Sequence, residues 1–240
     1  MSGPNDPYER QELVVPDEFQ GQRVMVVGVG AVGRPIALLL AQMGVRYVAL
    51  VDPDSVELPN VATQGYLVGD IGEPKVLAAS NAMGEVGSSP YSREYEQRFS
   101  DVVWDQGDEP NLVFCCVDDM EVRKEVFEAC RESHKRPVMV EGRLAGDYGR
   151  IFTCTDRVPD SWDKWLAGWF PQTEAEPNED GRCTTRMTAY AAQVLAGLMV
   201  RQAVEVLRVE DGWIETTLPT ELGVDLAAMA LDRGAYGGRT

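Results

Sequence analysis

Residues 23–33, RVMVVGVGAVG, constrain the fold more than any other stretch of this chain. RVMVV is a continuous apolar run that reads as a buried strand, and a G-x-G-x-x-G turn of Gly28, Gly30 and Gly33 follows it. Val32, Ile36, Leu39, Leu40 and Met43 then recur at helical spacing. Gly44 closes that helix, and residues 47–51 (YVALV) read as a second strand ending at Asp52. Such a βαβ unit implies parallel strands joined by a right-handed crossover. Its glycines allow a tight turn and a close backbone approach to phosphate, and the helix N-terminus adds partial positive charge. Asp52 stands where a carboxylate grips ribose hydroxyls. These residues say nucleotide without saying which, and an NAD-binding domain would look the same this far.

The rest of the chain extends the pattern. Residues 111–117 (NLVFCCV) read as a buried strand ended by Asp118 and Asp119, and further strands are predicted over 137–140 and 150–153. Residues 75–83 and 121–133 read as helices, with 53–74 mostly loop and a short helical possibility. Composition shifts at 155. Residues 155–182 carry Pro159, Pro171, Pro177 and an acidic cluster of Glu174, Glu176, Glu179 and Asp180, which suits a long crossing loop with one helical turn. Residues 184–208 read as a long helix apolar almost all round, hence buried, and the acidic tail after Val209 is expected to fray. The expected fold is α/β: a doubly wound, mostly parallel Rossmann-like sheet with a long crossover loop and a buried C-terminal helix. Its parts would be an N-terminal arm (1–22), a nucleotide-binding domain (23–154), the crossover loop (155–183), and a helix and tail (184–240) completing the same domain.

The net charge of −17, from 39 acidic and 22 basic residues among 240, argues against a nucleic-acid partner. It does not argue against ATP, which needs only a few local cations and a metal. The most apolar stretch, 187–200, is interrupted by Thr188 and Gln193 and is too short to span a bilayer. The N-terminus is polar and acidic, unlike a secretory signal, so a soluble, cytoplasmic protein is expected. The five cysteines include no C-x-x-C pair and suggest neither a zinc knuckle nor a disulfide framework. Cys115 and Cys116 would point to opposite faces of one strand as small buried hydrophobes. The single histidine, His134, reads as a surface residue near a helix end.

The discriminating stretch is VDPDSVELPNVATQGYLVGDIGEPK. A dehydrogenase has no need of an asparagine and a lysine here, whereas a triphosphate needs polar and cationic groups on the side away from the ribose. Asp52-x-Asp54, Asn60, Gln64 and Asp70-Ile-Gly-x-Pro-Lys75 resemble the signature of the ThiF/MoeB/ubiquitin-activating-enzyme family. So do Asp118 with Arg123 five residues on, and Tyr8-x-Arg10-Gln11 ahead of the first strand. The resemblance runs from about Tyr8 to Arg150. It implies that Gly28, Gly30, Gly33, Asp54 and Gln64 belong to the ATP site, that Asp52 binds the ribose, and that Asn60 and Lys75 contact the phosphates. It further implies that Asp118 holds Mg2+ and that Arg10 reaches into the site of the other subunit of a homodimer. Asp118 also suits a helix cap, a role that Asp119 could take instead.

The implied reaction is ATP-dependent adenylation of the C-terminal carboxylate of a ubiquitin-like or sulfur-carrier protein ending in Gly-Gly. A carboxylate is already a nucleophile, so no general base is needed; phosphate charge must be neutralised. Two features depart from the pattern or complicate it. Thr63 replaces the arginine that the family carries before Gln64, and Arg34, at the phosphate end of the first helix, is the candidate to substitute for it. Cys183, opening the long helix, matches a cysteine that accepts the activated tail as a thioester in some relatives. A helix N-terminus lowers a thiol pKa, while Glu179 and Asp180 raise it. Trp162, Trp165 and Trp169 share helical spacing and suit either core or dimer packing or contact with a partner's tail. The rival readings are a catalytically silent nucleotide-binding partner of an active homologue, and an NAD(P)-dependent oxidoreductase.

Overall fold

The computed structural model describes residues 7–12, 14–87, 91–104, 109–172, 188–210 and 218–233. A 3-10 turn (Glu9–Gln11) and α1 (Asp17–Gln20) lead into β1 (Arg23–Val27), α2 (Gly33–Gln42) and β2 (Tyr47–Val51). Then come α3 (Leu58–Gln64), α4 (Lys75–Val86), β3 (Tyr91–Tyr95), β4 (Leu112–Cys115) and α5 (Met120–Glu132). The last part comprises β5 (Val138–Ala145), β6 (Tyr148–Cys154), α6 (Ser161–Ala167), α7 (Ala189–Glu210), β7 (Glu221–Asp225) and β8 (Ala230–Arg233).

The strands form one sheet in the order β3-β2-β1-β4-β5-β6-β7-β8. β3 to β5 of that order pair in parallel, and β6, β7 and β8 add an antiparallel extension. Successive residues of β1 divide between the two faces. Val24 and Val26 enter one core, with Ile36 and Leu40 of α2, Met83 of α4 and Met199 of α7. Met25 and Val27 enter the other, with Val126 and Phe127 of α5 and Trp165 of α6. Helices on both faces explain why the central strands read as unbroken apolar runs. Cys115 enters the α5 side and Cys116 packs on the opposite core. The chain leaves β3 at one edge and returns to β4 beside β1, so the order reverses at β1. In such sheets a crevice opens outside the carboxyl ends of the strands at that point.

Three elements differ from expectation. β3 (YSREY) is an edge strand, polar and partly exposed along its length, so no apolar periodicity marks it. The acidic tail is not frayed throughout: Leu222, Gly223 and Val224 are buried in β7, and the exposed β8 pairs beside it. α7 is enclosed all round only in its second half, where residues 202–207 are all buried as the apolar pattern predicts. In its first turns Ala192, Leu195, Ala196 and Met199 enter the core, while Tyr190 and Val194 are exposed. No helix among the described residues is long and apolar enough to cross a membrane.

A buried ion cluster ties α5, β5 and α6 together. Glu141 is fully buried, and its Oε1 accepts from Arg123 Nη1 at 2.5 Å and from Arg143 Nε at 2.7 Å. Trp165 Nε1 donates to its other oxygen, and the Trp165 ring stacks on Phe127 at 4.0 Å. Arg123 also donates to the Gly142 carbonyl at 2.9 Å. Trp162 and Trp165 are therefore core residues, and Trp169 donates to the Met120 carbonyl at 3.0 Å. Burial alone would push the Glu141 carboxyl up, but the two guanidinium groups hold it below its ordinary value. A depressed folded value means that the pair's contribution is present above the unfolded value of about 4.3 and is lost as pH falls below it. Glu141→Ala would leave Arg123 charged and unpaired in the core. It should cost about 3–5 kcal/mol in chemical unfolding at pH 7, with the difference from wild type shrinking below about pH 4.

Candidate functional site

The crevice at the strand-order reversal is a cleft of about 510 Å³. Gly28, Gly30, Asp52, Asp54, Gln64, Lys75 and Asp118 all line it, as does Thr63. Widely separated sequence motifs thus meet at one place. The turn after β1 brings α2 very close to the strand. Gly28 adopts φ of +84°, and a Cβ there would lie 2.9 Å from the Cys116 backbone. A Cβ on Gly33 would lie 1.8 Å from the Gly28 carbonyl oxygen. Gly30 differs: the nearest atom to an added Cβ is Gln64 Oε1 at 3.8 Å, so its bare face opens toward the cleft. That Gln64 oxygen is buried without a hydrogen-bond partner.

Asp52 is almost fully buried, at 6% exposure. Its Oδ2 accepts from the Val29 N–H at 2.7 Å and its Oδ1 from the Asp54 N–H at 2.9 Å. Burial raises its carboxyl pKa, opposed by Lys75 and by those two N–H donors. Each oxygen keeps a lone pair for a hydroxyl ligand. Lys75 opens α4 with its ammonium 2.8 Å from Asp54 Oδ2; the lysine is buried and the aspartate largely exposed. Asp119 caps α5 by accepting from the N–H groups of Glu121 at 2.8 Å and Val122 at 3.1 Å. Asp118 is left exposed on the cleft wall with its carboxylate uncommitted to the helix.

Other candidates lie elsewhere. Asn60 is outside the cleft lining, and its Oδ1 accepts from the Glu57 N–H at 2.8 Å in a capping box at the start of α3. Arg34 also lies outside it; its guanidinium stacks over the Tyr66 ring, 4.9 Å from the centroid. Thr63 turns its hydroxyl back onto the Pro59 carbonyl at 2.8 Å. Arg10 sits on an exposed turn held by Tyr8 and Gln11, which donate to the carbonyls of Ala41 and Gln42. Those carbonyls mark the far end of α2, about 15 Å along a ten-residue helix from its own glycine turn. Cys183 lies outside the described residues. The other four thiols are structural: burial pushes Cys115 up to about 12, and Cys116, Cys130 and Cys154 well above the ordinary value. His134 is exposed.

Residues 97–100, after β3, form part of the lining that the sequence did not mark. The turn Phe99–Asp101 packs beside α5, and Arg98 and Ser100 line the cleft together with Val122 and Glu125 of that helix and the apolar Val27, Val51 and Val117. Among the described residues Lys75 and Arg98 are the two cations of the lining, and Arg98 has no ion-pair partner. No local motif announces this segment; only its place at the end of an edge strand could have pointed to it.

The two glycines separate packing from ligand access. Gly33→Ala should be destabilised by about 1–3 kcal/mol in thermal unfolding, because the clash is with backbone that cannot yield. Gly30→Ala should melt within about 2 °C of wild type yet bind nucleotide at least about tenfold more weakly in calorimetry.

The comparisons with known proteins agree with this geometry. The model of the ThiF family matches residues 10–233. The sulfur carrier protein ThiS adenylyltransferase of Escherichia coli is 30% identical over 218 residues, covering 87% of this chain and 82% of that protein. The molybdopterin-synthase adenylyltransferase of Salmonella typhimurium is 26% identical over 208 residues, covering 83% of this chain and 81% of that protein. In fold, the chain is similar to E. coli MccB crystallised with AMPCPP and MccA, with a TM-score of 0.70 at 15% identity over 99% of this chain and 73% of that one. With the match running through the arm, the glycine turn, the cleft and the antiparallel extension, this chain belongs to the ThiF family.

Proposed function

We propose that this protein is an ATP-dependent adenylyltransferase acting on the C-terminal carboxylate of a ubiquitin-like or sulfur-carrier protein ending in Gly-Gly. The observation that carries the reading is the convergence of Gly30, Asp52, Lys75 and Asp118 on one cleft at a helix N-terminus. A carboxylate oxygen attacks the α-phosphorus of ATP, the bond from that phosphorus to the bridging oxygen breaks, and pyrophosphate leaves with the electron pair. The acyl-adenylate remains. No proton need be removed from the nucleophile, so a site without histidine suffices.

Each residue has a physical task. The glycine turn and the N-terminus of α2 receive phosphate on backbone N–H groups. Asp52 accepts ribose hydroxyls on its free lone pairs. Lys75 exchanges Asp54 for a phosphate oxygen, a short step because the ammonium is already held at the cleft wall. The base enters the part of the cleft lined by the apolar Phe99 and Val122. Asp118 fits Mg2+, being a hard oxygen donor left free by the Asp119 cap, and one carboxylate with substrate phosphates and waters suits that ion. When bound, the ion neutralises charge on the phosphates.

The protein acts in the cytoplasm as a homodimer in which Arg10 serves the partner's site, a reading supported by its anchorage at the far end of α2. Cys183 then accepts the acyl group as a thioester, releasing AMP. The name of the E. coli relative, a sulfur carrier protein adenylyltransferase, supports a carrier-protein substrate.

ATP–pyrophosphate exchange tests the proposal. Exchange should appear only with a Gly-Gly-terminated carrier and fall at least about 100-fold in Asp118→Ala and in Lys75→Ala. ATP binding without exchange for any carrier would instead favour a silent nucleotide-binding partner.

A further inference from the structure

Tyr66 occupies a junction behind the cleft that no motif marks. Its ring is 2% exposed, and its hydroxyl donates to the Val29 carbonyl at 2.6 Å, with the Lys75 carbonyl sharing the contact at 3.3 Å. Val29 belongs to the glycine turn, and its own N–H is held by Asp52 at 2.7 Å. The peptide units on both sides of Val29 are thus fixed, one by the carboxylate and the other by the phenol. The same phenol touches the backbone of the residue whose side chain is the cleft lysine. Arg34 stands against the ring with its Nε buried and without a hydrogen-bond partner among the described residues, and Asp70 adds an attraction to that of the aromatic face.

Phenylalanine would fill the same volume and present the same face to Arg34. The hydroxyl is therefore not a packing requirement; what it adds is a link between two chain segments that lie on either side of the phosphate site. We infer that Tyr66 is a positioning residue for the nucleotide phosphates, setting the glycine turn against Lys75. Arg34 acts behind it, bracing the ring, and is not itself a phosphate ligand. This inference rests on the nucleotide site described above and deepens it.

Calorimetric titration of wild type, Tyr66→Phe, Lys75→Ala and the double variant with MgATP and with adenosine tests it. Tyr66→Phe should bind MgATP about five- to tenfold more weakly, as expected for one lost buried hydrogen bond, and bind adenosine as wild type does. Its effect on MgATP should shrink in the Lys75→Ala background, since the two act through one another. Unchanged MgATP affinity in Tyr66→Phe would overturn the inference. So would an equal loss for adenosine, which marks a merely structural role. Failure of wild type to bind MgATP at all would overturn the nucleotide reading and the inference with it, and is read from the wild-type titration alone.

Discussion

The contact between Gly28 and Gly33 sets the terms for the rest of the molecule. α2 begins so close to the end of β1 that no side chain fits between them. That proximity aims the helix N-terminus at the carboxyl edge of the sheet and leaves Gly30 facing open space. It also brings the Val29 N–H within reach of Asp52 at the end of the neighbouring strand. A wider turn would separate the Asp52 carboxylate from the backbone N–H groups of the turn, and the cleft wall would no longer present both together.

Around that turn the chain handles charge in two different ways. In the core, Arg123 and Arg143 share Glu141, and their task is to lock α5 and α6 onto the sheet. Such a cluster is costly to bury and is stabilising only while complete. At the cleft the arrangement is looser. Lys75 is buried but its partner Asp54 is open to solvent, so the pair can part when a stronger anion arrives. Arg98, also in the lining, has no ion-pair partner among the described residues. The contrast separates the arginines sealed around a buried carboxylate in the core from a lysine paired with an exposed carboxylate at the cleft wall.

The antiparallel extension gives the C-terminal segment a second task besides covering the core. β7 and β8 continue the sheet past β6, and Arg150 of β6 pairs with Glu221 of β7 across the join. Residues far apart in sequence are thereby drawn into the same sheet that carries the nucleotide cleft. The fold similarity to MccB extends over nearly the whole described chain, extension included.

The sequence by itself determined the central βαβ unit, the buried strands and the identity of Asp52, Lys75 and Asp118 as cleft residues. The strands and turn depend on local chemistry, apolar runs too continuous for anything but a covered sheet and glycines at fixed spacing, while Lys75 and Asp118 were marked by the resemblance of their motifs to the family signature. The division of labour between Asp118 and Asp119 was left open by the sequence, since either suits a helix cap, and the structure gives the cap to Asp119. The tertiary structure alone decided the rest. β3 and β8 are polar edge strands whose pairing comes from neighbours and not from their own pattern. Asn60 and Arg34 have suitable chemistry and suitable sequence positions. Yet backbone direction turns one into a cap and the other onto an aromatic ring. Tyr66 and Arg98 carry no local signal, because what matters about them is which distant segment they face. Local sequence sets what a residue is able to bind; only the packing of separated segments sets what lies within its reach.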